Sequence, residues 1–406
     1  MNNVLFVDDD ENILNGLRRR LHAIRPNWKT HFALNGKMAL EMCGNTSMDV
    51  VVSDMRMPGM DGSSLLEKIR IAHPETTRII LSGFAEDEAV LRTVGPAHQY
   101  LAKPCDEILL IDTIENALEL KDMLQHPALR ALMSGIDAIA SPPDTYMRLV
   151  KALEDPMAGN DRIVAIVSAD IALTAEVLKL TNSAYFAITQ KISSVSHAIR
   201  MIGMDTLKSL ALFVGLFQGF KGPSHITVRL NLLCHRSQQI GVTAALIAEA
   251  ENLGKQVSMM VPSTGMLSHI GSLVLLMNRA NEMEQVMARV ENDNVSIIAA
   301  EQEVFGAAHP EIGAYLLGLW GFPSPLVQAV AFHHRPADVP ERVMTPLSAL
   351  YFAQMLCRDI NNEKRAKPYV DQIDMAYLEE LGKTDRLETW RQIAIKVNNQ
   401  YKTLTR

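Results

Sequence analysis

The chain has 406 residues, too many for one small hydrophobic core, so we expect two or three domains. Hydrophobic residues make up 48% of it and charged residues 21%, which is typical of an ordinary globular protein. The formal net charge of −7 gives no general attraction to nucleic acid, although a local basic patch is not excluded.

The cysteines and the N-terminus indicate the compartment. The four cysteines lie far apart with no CxxC pair, which argues against a disulfide framework or a zinc ribbon and for a reducing environment. The N-terminus reaches Asp8 after one short apolar run, unlike a signal peptide. We find no apolar stretch near the roughly 20 residues that span a bilayer. The sequence therefore predicts a cytoplasmic protein without membrane contact.

Short strand patterns alternate with helical patterns over the first 120 residues. Three consecutive valines, 50–52, read as a strand buried on both faces, as a parallel sheet requires. Five strands alternating with five helices predict an α/β, doubly wound, five-stranded parallel sheet. The predicted strands are residues 4–7, 30–33, 50–52, 78–81 and 99–101, and the predicted helices are 11–23, 37–43, 63–72, 87–94 and one from residue 106.

Polar residues suited to one reaction follow four of these strands. Asp8 and Asp9 follow the first strand, Asp54 ends the third, Ser82 the fourth and Lys103 the fifth. Ligands bind at the carboxyl ends of the strands in such sheets. Carboxylates that lie close together repel one another unless a divalent cation is bound, and oxygen ligands favour Mg²⁺. A carboxylate can also attack phosphorus and form an acyl phosphate, whose oxygens lysine and hydroxyl groups would hold.

Four motifs give this region a family resemblance: FVDDD, VVSDMRMPGMDG, ILSG and YLAKP. Over about residues 1–120 the sequence resembles the flavodoxin-like receiver domain of two-component response regulators. The resemblance implies that a histidine kinase phosphorylates Asp54. The implied Mg²⁺ ligands are Asp8, Asp9, Asp54 and the backbone carbonyl of Arg56, and the implied phosphoryl-binding and switch residues are Ser82, Tyr100 and Lys103.

Each of these residues taken alone has a plainer interpretation. Asp10 or Asp61 could be a helix cap, Lys103 a solvated charge and Tyr100 a core aromatic residue. The plainer interpretation fails for the whole set, because all the groups fall at strand ends in the order that one chemistry needs.

Helical patterns dominate from about residue 128. The helix from Asp106 keeps its apolar spacing as far as Pro127, which predicts either a rigid helical connector over residues 121–127 or a loose linker. We expect an all-α output domain over residues 128–345, and further helices over 346–406 that pack on it. The predicted helices include residues 163–180, 205–218, 229–250, 310–320, 347–357 and 388–397.

Two stretches of this helical region carry a second resemblance. Residues 170–184, ending in Asn182-Ser183-Ala184, and residues 198–203 resemble the HDOD domain, a non-catalytic relative of the HD phosphohydrolases. The similarity covers about residues 128–345. It implies an output by protein–protein contact, with a cyclic-di-GMP phosphodiesterase or cyclase as one partner class suggested by analogy with HD-type relatives.

The histidines raise the alternative of a metal-dependent phosphodiesterase acting on cyclic dinucleotides. HD enzymes hold their metals with histidines and an aspartate that directly follows a histidine, but this chain has no His-Asp dipeptide. Ser268-His269 falls at that position, and Arg236 falls at the earlier histidine position, with His235 one residue out. His309, His333 and His334 remain in register; they could bind zinc or could be polar residues at helix faces and turns.

The sequence thus predicts a response regulator whose output domain is not an enzyme. Its expected partners are a histidine kinase and a protein that contacts the output domain; a homodimer is left open. A helix-turn-helix formed by residues 205–218 and 229–250 is disfavoured because no short basic recognition helix stands out, so we expect no nucleic-acid partner.

Overall fold

The computed structural model describes residues 2–83, 97–123, 127–134, 136, 140–141, 143–155, 157–182, 191–204, 207, 219–362 and 372–404. The chain divides into two compact units. The first comprises Met1–Ala138, Lys179–Lys191 and Tyr315–Phe322, and the second comprises Ile139–Leu178, Ile192–Ala314 and Pro323–Arg406.

A parallel sheet of five strands in the order β2-β1-β3-β4-β5 forms the centre of the first unit, which confirms the predicted fold class. All five residues of the third strand are buried, as the run of β-branched residues predicts. The strands are β1 Asn2–Val7, β2 Trp28–Ala33, β3 Val50–Asp54, β4 Thr77–Gly83 and β5 Gln99–Lys103.

Side-chain caps start the helices that flank this sheet. The carboxylate of Asp10 accepts a hydrogen bond from the Asn12 backbone at 2.8 Å, and Asp61 accepts one from Ser64 at 2.7 Å. The interpretation of these two aspartates as caps is therefore confirmed. The described helices of this region are α1 Glu11–Ile24, α2 Gly36–Asn45, α3 Gly62–Ala72, α4 Glu107–Met123 and α5 Pro127–Ser134. The predicted helix over 87–94 lies outside the described residues.

Pro127 is the first residue of α5. Proline lacks an amide proton that the first helical turn would leave unused, and its fixed φ suits that position. Helix α4 runs to Met123. Residues 124–126, where the predicted connector would continue, lie outside the described residues.

The rest of the described chain is helical apart from short loops. The predicted helix over 163–180 is two helices, since the chain turns at 168–170 and the Asp170 side chain caps the second helix by accepting from Leu173 N. The described helices are α6 Pro143–Glu154, α7 Asn160–Val167, α8 Ile171–Thr181, α9 Val195–Ile202, α10 Ser224–Ala250, α11 Lys255–Leu267, α12 Ile270–Asn278, α13 Ala280–Asn292, α14 Ile297–Phe305, α15 His309–Leu319, α16 Ser324–Phe332, α17 Pro346–Asn362, α18 Met375–Glu380 and α19 Leu387–Leu404.

Two predictions for this region fall mostly outside the described residues. The Ser183-Ala184 part of the predicted turn is one of them. The predicted helix over 205–218 is the other, since the structure describes only Leu207 within it. The Leu207 side chain is buried, and its amide donates to the Gly203 carbonyl at 3.1 Å.

The C-terminal helices share a hydrophobic core with α10. Phe352 and Trp390 pack with their ring centroids 4.8 Å apart, in one cluster with Ile240 and Ile247. The Glu251 carboxylate at the end of α10 accepts hydrogen bonds from Lys383 at 2.7 Å, Arg386 at 2.7 Å and the Trp390 indole at 3.0 Å. Apolar burial and one buried carboxylate therefore hold these helices together.

One described stretch, Lys255–Asn278, has 24 residues and is apolar enough by composition to cross a membrane, so the expectation that no stretch approaches that length is wrong. The structure breaks it into α11 and α12, and 89% of its most apolar window is buried. Such burial is typical of a core helix in a globular domain.

Candidate phosphotransfer site and histidine cluster

Three of the predicted site residues converge at the carboxyl edge of the sheet. The Lys103 ammonium lies 2.9 Å from Asp8 Oδ2 and also contacts Asp54 Oδ1. Asp8 and Asp54 are only 4% and 8% exposed. They meet because β1 and β3 are neighbours in the sheet, and Lys103 reaches them from the end of β5.

Backbone contacts fix the orientation of both carboxylates. The amide of Arg56 donates to Asp54 Oδ2 at 3.0 Å, and the amide of Asp10 donates to Asp8 Oδ1 at 2.9 Å. A Cβ at Gly62 would lie 2.2 Å from the Asp54 carbonyl oxygen, so only glycine fits at this close approach. The turn after β3 thus holds the Asp54 side chain in place.

Two carboxylates share one ammonium at this site. Burial lowers the pKa of Lys103, but hydrogen bonds and the charges of Asp54 and Asp8 outweigh burial, so the pKa is raised overall and the ammonium stays charged. The donor chemistry, carboxylate oxygens at a sheet edge, fits a hard divalent cation such as Mg²⁺. Asp9 is exposed beside the site. The roles of Asp9 and of the Arg56 carbonyl stay predictions.

Two further predicted residues are placed only by their backbone. Ser82 lies in β4 opposite Ala102, and Tyr100 lies in β5 opposite Ile80. The side chains of Ser82 and Tyr100 lie outside the described part of the chain, so their phosphoryl-binding and switch roles stay predictions.

A cluster of histidines lies in the second unit. One ring nitrogen from each of His269, His309 and His333 lies within 4.8 Å of the other two. The ring centroids are 5.3 to 5.7 Å apart, and all three side chains are buried. We refer to these three residues as the histidine cluster.

This set differs from the three histidines that the sequence left in register. His334 packs beside the cluster, but its Nε2 already has a hydrogen-bond partner, the side-chain amide nitrogen of Gln354 at 2.8 Å. His269 takes its place in the cluster, at the position where HD enzymes carry an aspartate. His235 is exposed.

Helix ends and close helix crossings bring the cluster together. His269 precedes α12, His309 begins α15 and His333 follows α16. A Cβ at Gly271 would lie 2.2 Å from the His309 carbonyl oxygen, so glycine permits this backbone approach. Similarly, a Cβ at Gly265 would lie 2.3 Å from the Cα of Gly241, where α11 crosses α10.

Each histidine of the cluster has a partner on Nδ1. His309 Nδ1 donates to Glu301 Oε2 at 2.6 Å, and His333 Nδ1 donates to the Val330 carbonyl at 2.7 Å. His269 Nδ1 lies 3.0 Å from the hydroxyl of Ser268, whose own proton is directed at Gly265 O. The carboxylate and the carbonyl place the ring proton of His309 and of His333 on Nδ1. His269 Nδ1 also lies 3.2 Å from the Ser237 hydroxyl, which can donate to it.

The surroundings keep the rings of His269 and His333 neutral. Burial, then the neighbouring His309, lowers the pKa of His269 well below its usual value. Burial likewise lowers the pKa of His333 to about 3. The charge of Arg236 lowers both pKa values further. Sequence reasoning did not find Glu301 as a partner, because the packing of α14 against the start of α15 brings it to His309.

Two family models match the chain. A model of the response regulator receiver domain matches residues 4–115, and a model of the HDOD domain matches residues 139–336. The matched regions contain the strand-end site and the histidine cluster, respectively.

Individual relatives match parts of the chain. An uncharacterized protein of Treponema pallidum (strain Nichols) is 26% identical over 56% of this chain and 44% of its own length. The regulatory protein AtoC of Escherichia coli (strain K12) is 35% identical over 30% of this chain and 26% of its own length. The chain thus spans less than half the length of these relatives. The crystal structure of the MmoQ response regulator from Methylococcus capsulatus str. Bath is 18% identical, with a TM-score of 0.46, over 63% of this chain and 98% of that one.

Proposed function

Because this chain is a response regulator with a receiver domain and an HDOD domain, we propose that phosphorylation of Asp54 by a histidine kinase changes the protein contacts of the HDOD domain. The observation that carries the proposal is the convergence of Asp8, Asp54 and Lys103 at the sheet edge. On this assignment, the receiver domain covers residues 1–120, the linker 121–127, the output domain 128–345 and the packed C-terminal helices 346–406.

The transfer step follows from the arrangement of these side chains. A carboxylate oxygen of Asp54 attacks the phosphorus of a phosphohistidine; the new P–O bond forms as the P–N bond breaks, and the imidazole leaves. The Arg56 amide holds the second carboxylate oxygen and so orients the attacking one. Mg²⁺, when bound by the acidic residues, would neutralise charge on the phosphoryl group.

Lys103 would carry the change that follows phosphorylation. Its ammonium is paired with Asp8 and Asp54, and a phosphoryl group on Asp54 would bring about −1.5 to −2 of charge to the same point. The ammonium would then pair with a phosphoryl oxygen. Ser82 and Tyr100 would relay the altered contacts through β4 and β5 to the receiver surface.

The proposed output is a change in protein binding in the cytoplasm. A cyclic-di-GMP phosphodiesterase or cyclase is one class of partner, by analogy with HD-type relatives. The alternative function, a phosphodiesterase acting on cyclic dinucleotides, draws on the histidine cluster. It is disfavoured because the cluster contains imidazoles alone, whereas bridging two catalytic metals calls for an anionic ligand.

Labelling with acetyl phosphate tests the receiver chemistry directly. We expect Mg²⁺-dependent incorporation of phosphate into the wild-type chain and a fall to background in Asp54→Asn. Asp112→Asn, an exposed carboxylate in α4, is the matched control and should label like the wild type. Undiminished labelling of Asp54→Asn would show that another residue is the acceptor.

A binding comparison tests the output. Partner capture by the beryllofluoride-loaded chain should differ from capture by the unloaded chain, and Asp54→Asn should show no such difference. In parallel, the purified chain should not hydrolyse cyclic dinucleotides in the presence of Mg²⁺, Mn²⁺ or Fe²⁺. Hydrolysis that disappears in a His309→Ala, His333→Ala double variant would instead establish the phosphodiesterase.

A further inference from the structure

We propose that His269, His309 and His333 bind one divalent transition-metal ion, with Zn²⁺ the best-suited ion, inside the helical unit. The proposal is independent of phosphorylation at Asp54. It rests on the position of the three ring nitrogens, on their hydrogen-bond partners and on what surrounds them.

The ring nitrogens are close enough to share an ion after a small adjustment. They lie within 4.8 Å of one another. Zn–N bonds of about 2.1 Å in tetrahedral geometry would place the nitrogens roughly 3.4 Å apart. Small rotations of the side chains would close this difference.

The hydrogen bonds involve Nδ1 of each ring. Nδ1 contacts the Ser268 and Ser237 hydroxyls in His269, Glu301 in His309 and the Val330 carbonyl in His333. Nε2 of His309 and of His333 is buried and has no hydrogen-bond partner among the described residues. A buried ring nitrogen without a partner is costly, and a metal ion would satisfy both.

The partners on Nδ1 are those that metal-binding histidines use. A carboxylate and a backbone carbonyl each orient a ring and fix its tautomer, and a carboxylate also raises the basicity of the ligand. The buried Glu301 carboxylate holds His309 twice, through the ring at 2.6 Å and the backbone amide at 2.8 Å. Glu301 therefore fixes both the ring and the backbone of His309.

The donor set indicates the class of ion. Three neutral imidazoles suit zinc and other late first-row ions, and they suit Mg²⁺ poorly. Three imidazoles fill three positions of a tetrahedron and leave a fourth for water or another ligand. The ion would connect the starts or ends of α12, α15 and α16, so we expect it to stabilise this unit.

Equilibrium dialysis against Zn²⁺, with the full chain stripped by chelator and with excess Mg²⁺ present to occupy the receiver site, tests the proposal. We expect one bound Zn²⁺ per chain and a rise in the melting temperature. Co²⁺ in its place should give the strong visible bands of a tetrahedral site. Absence of zinc binding, or only the weak bands of an octahedral Co²⁺ site, would overturn the proposal.

Variants locate the site. His309→Ala combined with His333→Ala should weaken zinc binding by about 100-fold or more, whereas exposed His235→Ala should leave it unchanged. Glu301→Gln should weaken it about 10-fold or more by removing the carboxylate partner of His309. Arg236→Ala should strengthen it, since the charge of Arg236 acts on the cluster.

These last two variants keep the test decisive if the double alanine variant does not fold. Unchanged zinc affinity in both Glu301→Gln and Arg236→Ala would place any bound ion elsewhere in the chain and contradict the proposal.

Discussion

The strand-end site of the first unit and the histidine cluster of the second differ in the charge and the partners of their buried side chains. In the receiver domain, the buried carboxylates of Asp8 and Asp54 are paired with Lys103, whose side chain is 29% exposed. In the helical unit, burial lowers the pKa of His269 and of His333 and keeps these two rings neutral. Asp170 there is fully buried, and its described partners are a Ser141 hydroxyl and backbone amides rather than a cation.

The difference fits the role proposed for each site. Transfer of a phosphoryl group to Asp54 would add negative charge at the sheet edge, where an ammonium already lies beside the carboxylates. A packed helical interior excludes water, and a lone charge there is costly. The rings of His269 and His333 are therefore neutral, which makes them suitable for binding a metal.

Among the variants that test this comparison, we expect the largest change in the free energy of unfolding at Asp170. Burial, partly opposed by hydrogen bonds from Leu173 and Ser141, raises the pKa of Asp170 to about 6. The folded chain thus holds the proton more tightly than the unfolded chain does. The contribution to stability is full below pH of about 4 and is lost as the pH rises through about 6, by about 3 kcal/mol in all.

Asp170→Asn should therefore be more stable than the wild type at pH 7, by up to about 3 kcal/mol, and should differ little at pH 4. Asparagine also caps helices, so the bond from Leu173 N is kept. Urea unfolding between pH 4 and pH 8 measures the difference, with the exposed Asp161→Asn as control. A difference that does not vary with pH would mean that folding does not raise the pKa of Asp170.

The receiver fold and much of its site could be predicted because both depend on short-range patterns. Buried valines at 50–52 mark a central strand, and parallel strands bring their carboxyl ends to one edge, so Asp8, Asp54 and Lys103 had to be close. The contact of Lys103 with both carboxylates was not predicted, because side-chain reach across a sheet is not encoded in spacing.

The helical unit was predicted less well for a physical reason. Apolar spacing shows that a helix is buried but not which helix it crosses. The approach of Gly271 to His309 joins residues far apart in the chain, and it decides that His269 rather than His334 completes the cluster. The break between α7 and α8 was missed because the hydrophobic pattern continues through it.

Gly271→Ala is expected to have the next largest effect. The added methyl group would lie 2.2 Å from the His309 carbonyl oxygen and 2.9 Å from the Gly313 amide nitrogen, both backbone atoms that cannot turn aside. We expect a loss of about 2 kcal/mol in the free energy of unfolding. Gly16→Ala in α1, where the new methyl group meets nothing within 4 Å, should instead be neutral or stabilising. Equal effects of the two variants would refute the close crossing.

The smallest effect is expected at Lys103, where the receiver site keeps its cation. Lys103→Met removes the ammonium with little change in volume, so the carboxylates of Asp8 and Asp54 lose their shared partner. Since a hydrogen bond to a charged group contributes about 1.5 kcal/mol or more, we expect labelling by acetyl phosphate to slow by about tenfold.

Lys103→Arg keeps the charge but presents a larger, planar group, and its rate should fall between those of the wild type and Lys103→Met. Initial rates at saturating Mg²⁺ measure this, with the exposed Lys37→Met as control. If Lys103→Met labels at the wild-type rate, Lys103 only balances the charge of the resting site and takes no part in the transfer.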